Sequence, residues 1–134
     1  MSLSIKPRVV LDTNVLVSGI LWGGKPGLVI KHFRQNKFVL LVSPFVLAEL
    51  TNFLEEHRIE RRQRQIILDE FETRPIKIIP PEQVNLCRDA KDNQVLDLCS
   101  FGEADYLVTG DKDLLALKKF GKTKIITPKE FLLW

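Results

Sequence analysis

The alternation of short apolar runs with amphipathic segments is the feature that most constrains the fold of this chain. Buried parallel strands read as nearly continuous apolar runs, and helices connect them. Strands that alternate with helices imply a parallel sheet that is covered on both faces and joined by right-handed crossovers. We therefore predict a three-layer α/β/α sandwich with a central parallel sheet of about five strands, at residues 8–11, 38–42, 76–79, 106–109 and 124–126.

The helices are predicted between these strands, at residues 26–35, 44–56, 59–73, 93–101 and 112–120. Ser43-Pro44 is a strong start signal, because serine caps a helix and proline suits its first position. Thr127-Pro128 predicts a last short helix that runs to Trp134, with Phe131 and Trp134 docking it on the core. Residues 15–21 form an apolar segment of undetermined type that ends at a Gly23-Gly24 break.

Length and composition favour one cytoplasmic domain. The chain has 134 residues, of which 45% are hydrophobic, and this is enough for a single core spanning residues 1–134. The sequence contains no apolar stretch of bilayer-spanning length and no signal-peptide pattern, so we expect no membrane association. Cys87 and Cys99 are expected to be reduced structural thiols. His32 and His57 are far apart and lack the spacing of a zinc site.

Two aspartates lie just past the carboxyl ends of predicted buried strands. Asp12 closes the run Val9-Val10-Leu11, and Asp111 follows the strand at 106–109 and Gly110. Ligands of open α/β sheets bind at the carboxyl edge of the strands. Taken alone, each aspartate could be a turn former, and Asp113 could cap the next helix.

Glu49 breaks the pattern of its own helix. At about 100° per residue it falls on the apolar stripe near Val46 and Leu50. A buried carboxylate is costly unless it is paired or binds a metal. The alternative is that Glu49 reaches solvent past the helix end or meets an arginine.

Asp92 is the candidate ligand of the fourth segment. It projects with Val95 and Cys99, whereas Asp97 is predicted on the opposite side and Asp89 precedes the helix. Asp92 could equally be the helix N-cap. Four carboxylates at one sheet edge would repel each other unless a cation neutralised them. Oxygen ligands without cysteine or histidine favour Mg²⁺ or Mn²⁺.

These residues also carry a family resemblance that covers nearly the whole chain. The segments VLDTNVL at 10–16, SPFVLAEL at 43–50, CRDAKDN at 87–93 and ADYLVTGDKDL at 104–114 resemble PIN-domain proteins. The similarity is to the VapC-like type, the toxins of type II toxin-antitoxin pairs. The resemblance implies a PIN-like fold, a Mg²⁺ or Mn²⁺ centre and endoribonuclease activity.

The resemblance also assigns roles to residues. It implies catalytic and metal-binding Asp12, Glu49, Asp92 and Asp111, with Asp113 as a further metal ligand and Asn14 and Thr109 as supporting polar groups. Where many close relatives carry another acidic residue, this chain has Asn93, which leaves open whether one or two metal ions bind. The family further implies an RNA substrate, a small antitoxin partner and a homodimer or higher homo-oligomer.

The basic run at 57–64 and a tryptophan are candidates for RNA contact. The net charge is +3 with a pI near 9.0, which permits a polyanionic partner. Arg58, Arg61 and Arg62 could follow substrate phosphates or form an ordinary solvated helix face. Trp22 could stack on a base, lie in a dimer contact or pack in the core.

Two other function classes compete with the nuclease. The first is a non-catalytic PIN-like module that regulates through a protein partner, and metal binding would discriminate the two. The second is a phosphotransferase of the haloacid-dehalogenase type, which also begins with a strand and an aspartate. That chemistry needs a second aspartate two residues later, where this chain has Asn14.

Overall fold

A computed structural model describes residues 6–81 and 85–133. Within these ranges the strands are β1 Arg8–Leu11, β2 Val39–Val42, β3 Ile76–Lys77, β4 Tyr106–Val108, β5 Lys119–Phe120 and β6 Thr123–Ile126. The helices are α1 Thr13–Leu21, α2 Gly24–Arg34, α3 Pro44–Glu56, α4 Arg61–Thr73, α5 Ala90–Phe101, α6 Lys112–Leu117 and α7 Pro128–Leu132. The predicted alternation of strands and helices is confirmed.

The strands form one sheet in the order β3-β2-β1-β4-β6-β5. Every neighbouring pair is parallel except β5 with β6, which is antiparallel. The consecutive residues Val9, Val10 and Leu11 are all buried, and since neighbouring side chains of a strand point to opposite faces, both faces of the sheet are covered. The predicted α/β/α class is therefore confirmed, with six strands in the described part of the chain instead of about five.

The additional strand corrects the predicted helix at 112–120. Helix α6 ends at Leu117, and Lys118 takes a left-handed conformation with φ 61°. Lys119 and Phe120 then pair with β6 across the two-residue turn Gly121-Lys122, where Gly121 has φ 58°. A positive φ is common for glycine but costly for lysine, so the helix end at Lys118 carried no sequence signal.

The apolar segment of undetermined type forms helix α1, which begins directly after Asp12. Gly19 lets α2 approach α1 closely, because a Cβ atom there would lie 2.4 Å from Ile30 Cγ1 and 2.6 Å from the carbonyl oxygen of Pro26. Such distances are too short for any side chain. The close packing of α1 and α2 thus fixes the helix that follows Asp12.

The predicted bounds of helix α3 are confirmed at both ends. Its N-cap Ser43 accepts a hydrogen bond from the backbone N–H of Val46 at 3.2 Å, and Pro44 is the first helical residue. The apolar face of α3 packs on the core through Leu50 and Leu54, which are fully buried. This helix carries Glu49 to the carboxyl edge of the sheet.

The last helix is anchored by a capping box between Thr127 and Glu130. Phe131 is 1% exposed, and its ring lies 5.2 Å from that of Phe38 and 6.0 Å from that of Tyr106. The predicted docking of Phe131 is confirmed, whereas Trp134 lies outside the described residues. No helix in the described part of the chain has the length and apolarity needed to cross a membrane.

Candidate functional site

A cleft of about 290 Å³ opens at the carboxyl edge of the sheet. Six acidic residues line it. Four are the predicted ligands from four parts of the chain, Asp12, Glu49, Asp92 and Asp111, and the others are Glu56 and Asp89. The register of the sheet explains why Asp12 and Asp111 lie at the same place, because Leu11 lies beside Val108 in the parallel pair of β1 and β4. The residues that follow these two strands therefore meet at one edge.

Asp12 forms the buried end of the cleft. It is 9% exposed, and its Oδ2 accepts a hydrogen bond from the Thr109 hydroxyl at 2.7 Å. Burial raises the pKa of Asp12, the bond from Thr109 opposes this rise, and the charge of Asp111 adds to it. The Thr109 oxygen also accepts the backbone N–H of Asp111 at 3.0 Å, so one fully buried hydroxyl orients both aspartates.

Glu49 lies half-buried in the wall of the cleft, with 21% of its side chain exposed. Its Oε1 accepts a hydrogen bond from the Thr13 hydroxyl at 2.7 Å, and its Oε2 lies 3.5 Å from Lys91 Nζ. Glu49 is thus neither directed to solvent past the helix end nor paired with arginine. Lys91 also lines the cleft, and its position there had no signal in the sequence.

Helix α5 brings Asp92 into the cleft from the other side. The N-cap is Asp89, which accepts the backbone N–H of Lys91 at 2.9 Å, so Asp92 stands in the first turn and is not the cap. Asp92 is 7% exposed. Burial and then the negative charge of Asp111 raise its pKa to about 6.

Asp97, which was predicted on the side of α5 opposite Asp92, is buried as well, with 2% exposure. The residues of α5 on either side of Asp97 are also buried, namely Val95, Leu96, Leu98 and Cys99. A helix that is buried on nearly all sides has no solvent face for the wheel to identify.

The donor set fits a divalent cation with oxygen ligands. One carboxylate oxygen each from Asp92, Asp111 and Asp113 can be chosen so that all three lie within 4.8 Å of one another. Burial raises the pKa of Asp92 most, the negative charges of Asp111 and Asp89 add to it, and a bound cation would offset the contribution of these charges. Hard carboxylate oxygens without sulfur or imidazole ligands suit Mg²⁺ or Mn²⁺.

Asp113 lies at the exposed end of this set and already has a cationic partner. The Arg88 guanidinium donates to both Asp113 oxygens at 2.8 Å, although 86% of the Arg88 side chain is exposed. The Asn93 side chain holds the loop before Arg88, because its Oδ1 accepts the backbone N–H groups of Leu86 at 3.1 Å and Cys87 at 2.8 Å. Asn93 therefore serves the loop that presents Arg88 to Asp113.

The remaining predicted site residues lie at the surface. Asn14 is exposed and lines the cleft. Arg58, Arg61 and Arg62 are exposed between α3 and the first turn of α4. Trp22 is 62% exposed, which excludes its packing in the core.

The amino-acid sequence of this chain is similar to those of known proteins. Residues 8–113 match the sequence profile of the PIN domain. The chain is also 32% identical to the uncharacterized protein MJ1680 of Methanocaldococcus jannaschii, over 96% of this chain and 91% of that protein. The profile thus covers most of the chain, and the relative matches nearly all of it.

Two solved structures have a similar fold. One is VapBC2 from Rickettsia felis bound to a DNA fragment from their promoter, with a TM-score of 0.62 and 20% identity over 88% of this chain and 96% of that chain. The other is FitAcB from Neisseria gonorrhoeae, with a TM-score of 0.55 and 14% identity over 90% of this chain and 98% of that chain. At such identities the likeness is one of fold.

Proposed function

We propose, since this chain belongs to the PIN-domain family, that it is a divalent-metal-dependent endoribonuclease that hydrolyses RNA phosphodiester bonds. Members of the family are in general nucleases. The observation that carries the proposal is the convergence of Asp12, Glu49, Asp92 and Asp111 on one cleft. A structural role would not require four carboxylates of high mutual repulsion in a single opening.

In the proposed site, Asp12, Asp92 and Asp111 would hold the cation, Glu49 would contribute directly or through a water molecule, and Asp113 would be a further ligand. The chemistry that Mg²⁺ or Mn²⁺ supplies in such sites is a lowered pKa of bound water and neutralisation of charge on the phosphate. In the hydrolysis a water oxygen bonds to phosphorus as the opposite P–O ester bond breaks, and the proton that the water loses is balanced by the one that the leaving oxygen takes up.

The residues around the carboxylates orient them and attract the substrate. The Thr109 hydroxyl donates a hydrogen bond to Asp12, and the Thr13 hydroxyl donates one to Glu49, so each holds its carboxylate in place. The Lys91 ammonium lies in the cleft with 68% of its side chain exposed, where it would attract a phosphate group. Outside the cleft, exposed Arg58, Arg61 and Arg62 are proposed to contact the RNA backbone.

We further propose that the chain is the toxin of a toxin-antitoxin pair. Its fold is similar to that of chains in the VapBC2 and FitAcB structures, which supports a small antitoxin protein as partner. A homodimer or higher homo-oligomer is proposed from the family resemblance alone. Induced expression in a bacterial host tests this role. Growth should stop with the wild-type chain and continue with Asp12→Asn, whereas equal growth would contradict a toxic nuclease.

Cleavage of single-stranded RNA in Mg²⁺ or Mn²⁺ tests the nuclease directly. Asp12→Asn should lower the rate by roughly a thousandfold, because a metal contributes several kcal/mol of charge stabilisation in the transition state. EDTA should abolish cleavage. Asp69→Asn is the matched control, since Asp69 is an exposed acid on α4 that does not line the cleft.

The result of this assay separates the nuclease from the regulatory module. Cleavage that is lost in EDTA and in Asp12→Asn, with normal activity in Asp69→Asn, supports the enzyme. Absence of cleavage by folded protein purified without a bound inhibitor, on several RNAs and in both metals, would favour a non-catalytic PIN-like module.

A further inference from the structure

A row of aromatic rings leads from the acidic cleft to the surface. Phe53 lines the cleft, and the His57 ring stacks on it with centroids 4.8 Å apart and planes 6° from parallel. The Trp22 ring then meets His57 edge-on at 5.2 Å. Because the Phe53 carbonyl can only accept, His57 Nδ1 donates the 2.9 Å hydrogen bond between them, which fixes the imidazole in this row.

The outer end of the row is a tryptophan whose side chain does not pack in the core. Trp22 is 62% exposed and follows the last residue of α1. The next residues are Gly23, Gly24 and Lys25, all exposed, so Trp22 does not continue into a broad apolar chain segment. A docking surface for a folded protein is usually a contiguous apolar patch, whereas a short row of flat rings that ends beside glycine and lysine suits a planar ligand.

The helix that carries this row also carries an acid of the proposed catalytic site. Glu49, Phe53 and His57 are spaced by four residues along and just beyond α3, so they share one face. At 1.5 Å per residue the row extends about 12 Å from Glu49. A base stacked there would belong to a nucleotide close to the bond that is cut.

We infer that Trp22, His57 and Phe53 form a base-stacking subsite for single-stranded RNA beside the acidic cleft. The inference rests on the proposed function and adds a substrate class to it. Aromatic side chains bind bases of single strands because every base has a flat face, whereas bases within a duplex are already stacked and paired. The subsite thus favours unpaired RNA without requiring a particular base.

Fluorescence of Trp22 tests the subsite without any need for cleavage. The chain has two tryptophans, so Trp134→Phe leaves Trp22 as the reporter. Titration with a single-stranded RNA oligonucleotide in EDTA should quench the emission to saturation. A duplex of the same sequence, and an oligonucleotide with abasic sites, should quench far less because neither offers an open base.

A second test replaces Trp22 and measures the affinity for RNA by the fluorescence anisotropy of a labelled oligonucleotide. Trp22→Ala should weaken binding by roughly 5- to 100-fold, the range that one base–aromatic stack provides, and Trp22→Phe should retain most of the affinity. Ile66→Ala is the matched control, because Ile66 is also a large hydrophobic residue that is 62% exposed. Its removal should leave affinity unchanged.

Several results would overturn the subsite. These are an affinity of Trp22→Ala equal to that of the wild type, no quenching by any oligonucleotide, equal quenching by abasic RNA, or a Trp22 signal that depends on protein concentration alone, which would indicate contact with a second copy of the chain. Base-dependent quenching by a protein that does not cleave would retain the subsite and reject the nuclease. Cleavage at the wild-type rate by Trp22→Ala would retain the nuclease and reject the subsite.

Discussion

The carboxylates at the two ends of the acidic edge of the sheet, Asp12 and Asp113, are held in opposite ways. At the buried end, Asp12 is 9% exposed and receives a hydrogen bond from Thr109, a fully buried residue that follows the neighbouring strand. At the outer end, Asp113 has 47% of its side chain exposed and pairs with Arg88, which is exposed by 86%. The buried end is fixed by the sheet itself, whereas the outer end depends on a loop and a solvent-exposed ion pair.

This difference implies that Asp12 and Asp113 contribute differently to the proposed metal site. A ligand that is oriented by a neutral hydroxyl is ready to bind a cation without losing a partner. Asp113, by contrast, must exchange Arg88 for the cation if it is to become a ligand. We therefore expect changes at the buried end to affect catalysis strongly and changes at the outer end to adjust metal affinity slightly.

Among substitutions that keep every carboxylate of the site, the largest effect is expected when the buried end loses its hydroxyl. Thr109→Val removes the donor to Asp12 while keeping the shape of the side chain, and cleavage should fall by about 10- to 100-fold. The unfolding free energy should drop by about 1–3 kcal/mol, because the buried Asp12 carboxylate loses a hydrogen bond. Initial rates of RNA cleavage and denaturant unfolding measure the two effects.

Thr123→Val provides the control for this substitution. Thr123 is also buried, at 1% exposure, and its hydroxyl also donates at 2.7 Å, but to the carbonyl of Ala104 and not to an acid of the cleft. Its loss should lower stability and leave the cleavage rate of the folded protein unchanged. An equal fall of activity in both variants would show that Thr109 acts only through stability.

At the outer end the expected effect is smaller and of opposite sign. Arg88→Gln removes the competitor for Asp113, so Mn²⁺ should bind up to a few-fold more tightly, since exposed ion pairs are weak. Arg34→Gln is the control, because Arg34 makes a similar two-oxygen contact with Glu70 on exposed surfaces elsewhere. Weaker Mn²⁺ binding in Arg88→Gln than in Arg34→Gln, measured by calorimetry, would contradict the exchange.

The smallest effect is a pH dependence of stability in EDTA. The pKa of Asp92 is raised to about 6 by burial and then by Asp111, and burial raises that of Asp12 as well. The folded protein then binds more protons than the unfolded chain between the ordinary value near 4 and the folded value, so its stability falls as pH rises through this window. Below the window the penalty disappears.

Unfolding in urea at pH values from 4 to 7 measures this slope. Asp92→Asn should flatten it, because the amide does not titrate, and it should make the variant more stable than the wild type at pH 7 in EDTA. A wild-type stability that does not fall across the window, or a slope that Asp92→Asn leaves intact, would contradict the burial and charge repulsion that raise the pKa of Asp92.

Much of the fold could be predicted because its signals are local. The bounds of β1 follow from an uninterrupted apolar run, and those of α3 follow from Ser43-Pro44 and its apolar stripe. The meeting of Asp12 and Asp111 could also be predicted, since carboxyl ends of parallel strands share an edge. Each of these inferences needed only the sequence near the residue and one rule of sheet topology.

Other features depend on contacts that the local sequence does not encode. The hairpin of β5 and β6 depends on a left-handed Lys118, a residue type that gives no warning of such a conformation. The burial of Asp97 depends on how completely its neighbours enclose α5. The pairing of Arg88 with Asp113 joins residues 25 positions apart through a loop that Asn93 holds, and no periodicity indicates it.

The central claim is that the acidic edge binds a divalent cation, and direct titration with Mn²⁺ tests it most closely. Calorimetry on the wild type should show saturable binding that Asp92→Asn and Asp111→Asn each weaken severely, while Asp69→Asn leaves it unchanged. Wild-type protein that binds no Mn²⁺, or cleft variants that bind as tightly as Asp69→Asn, would contradict the account.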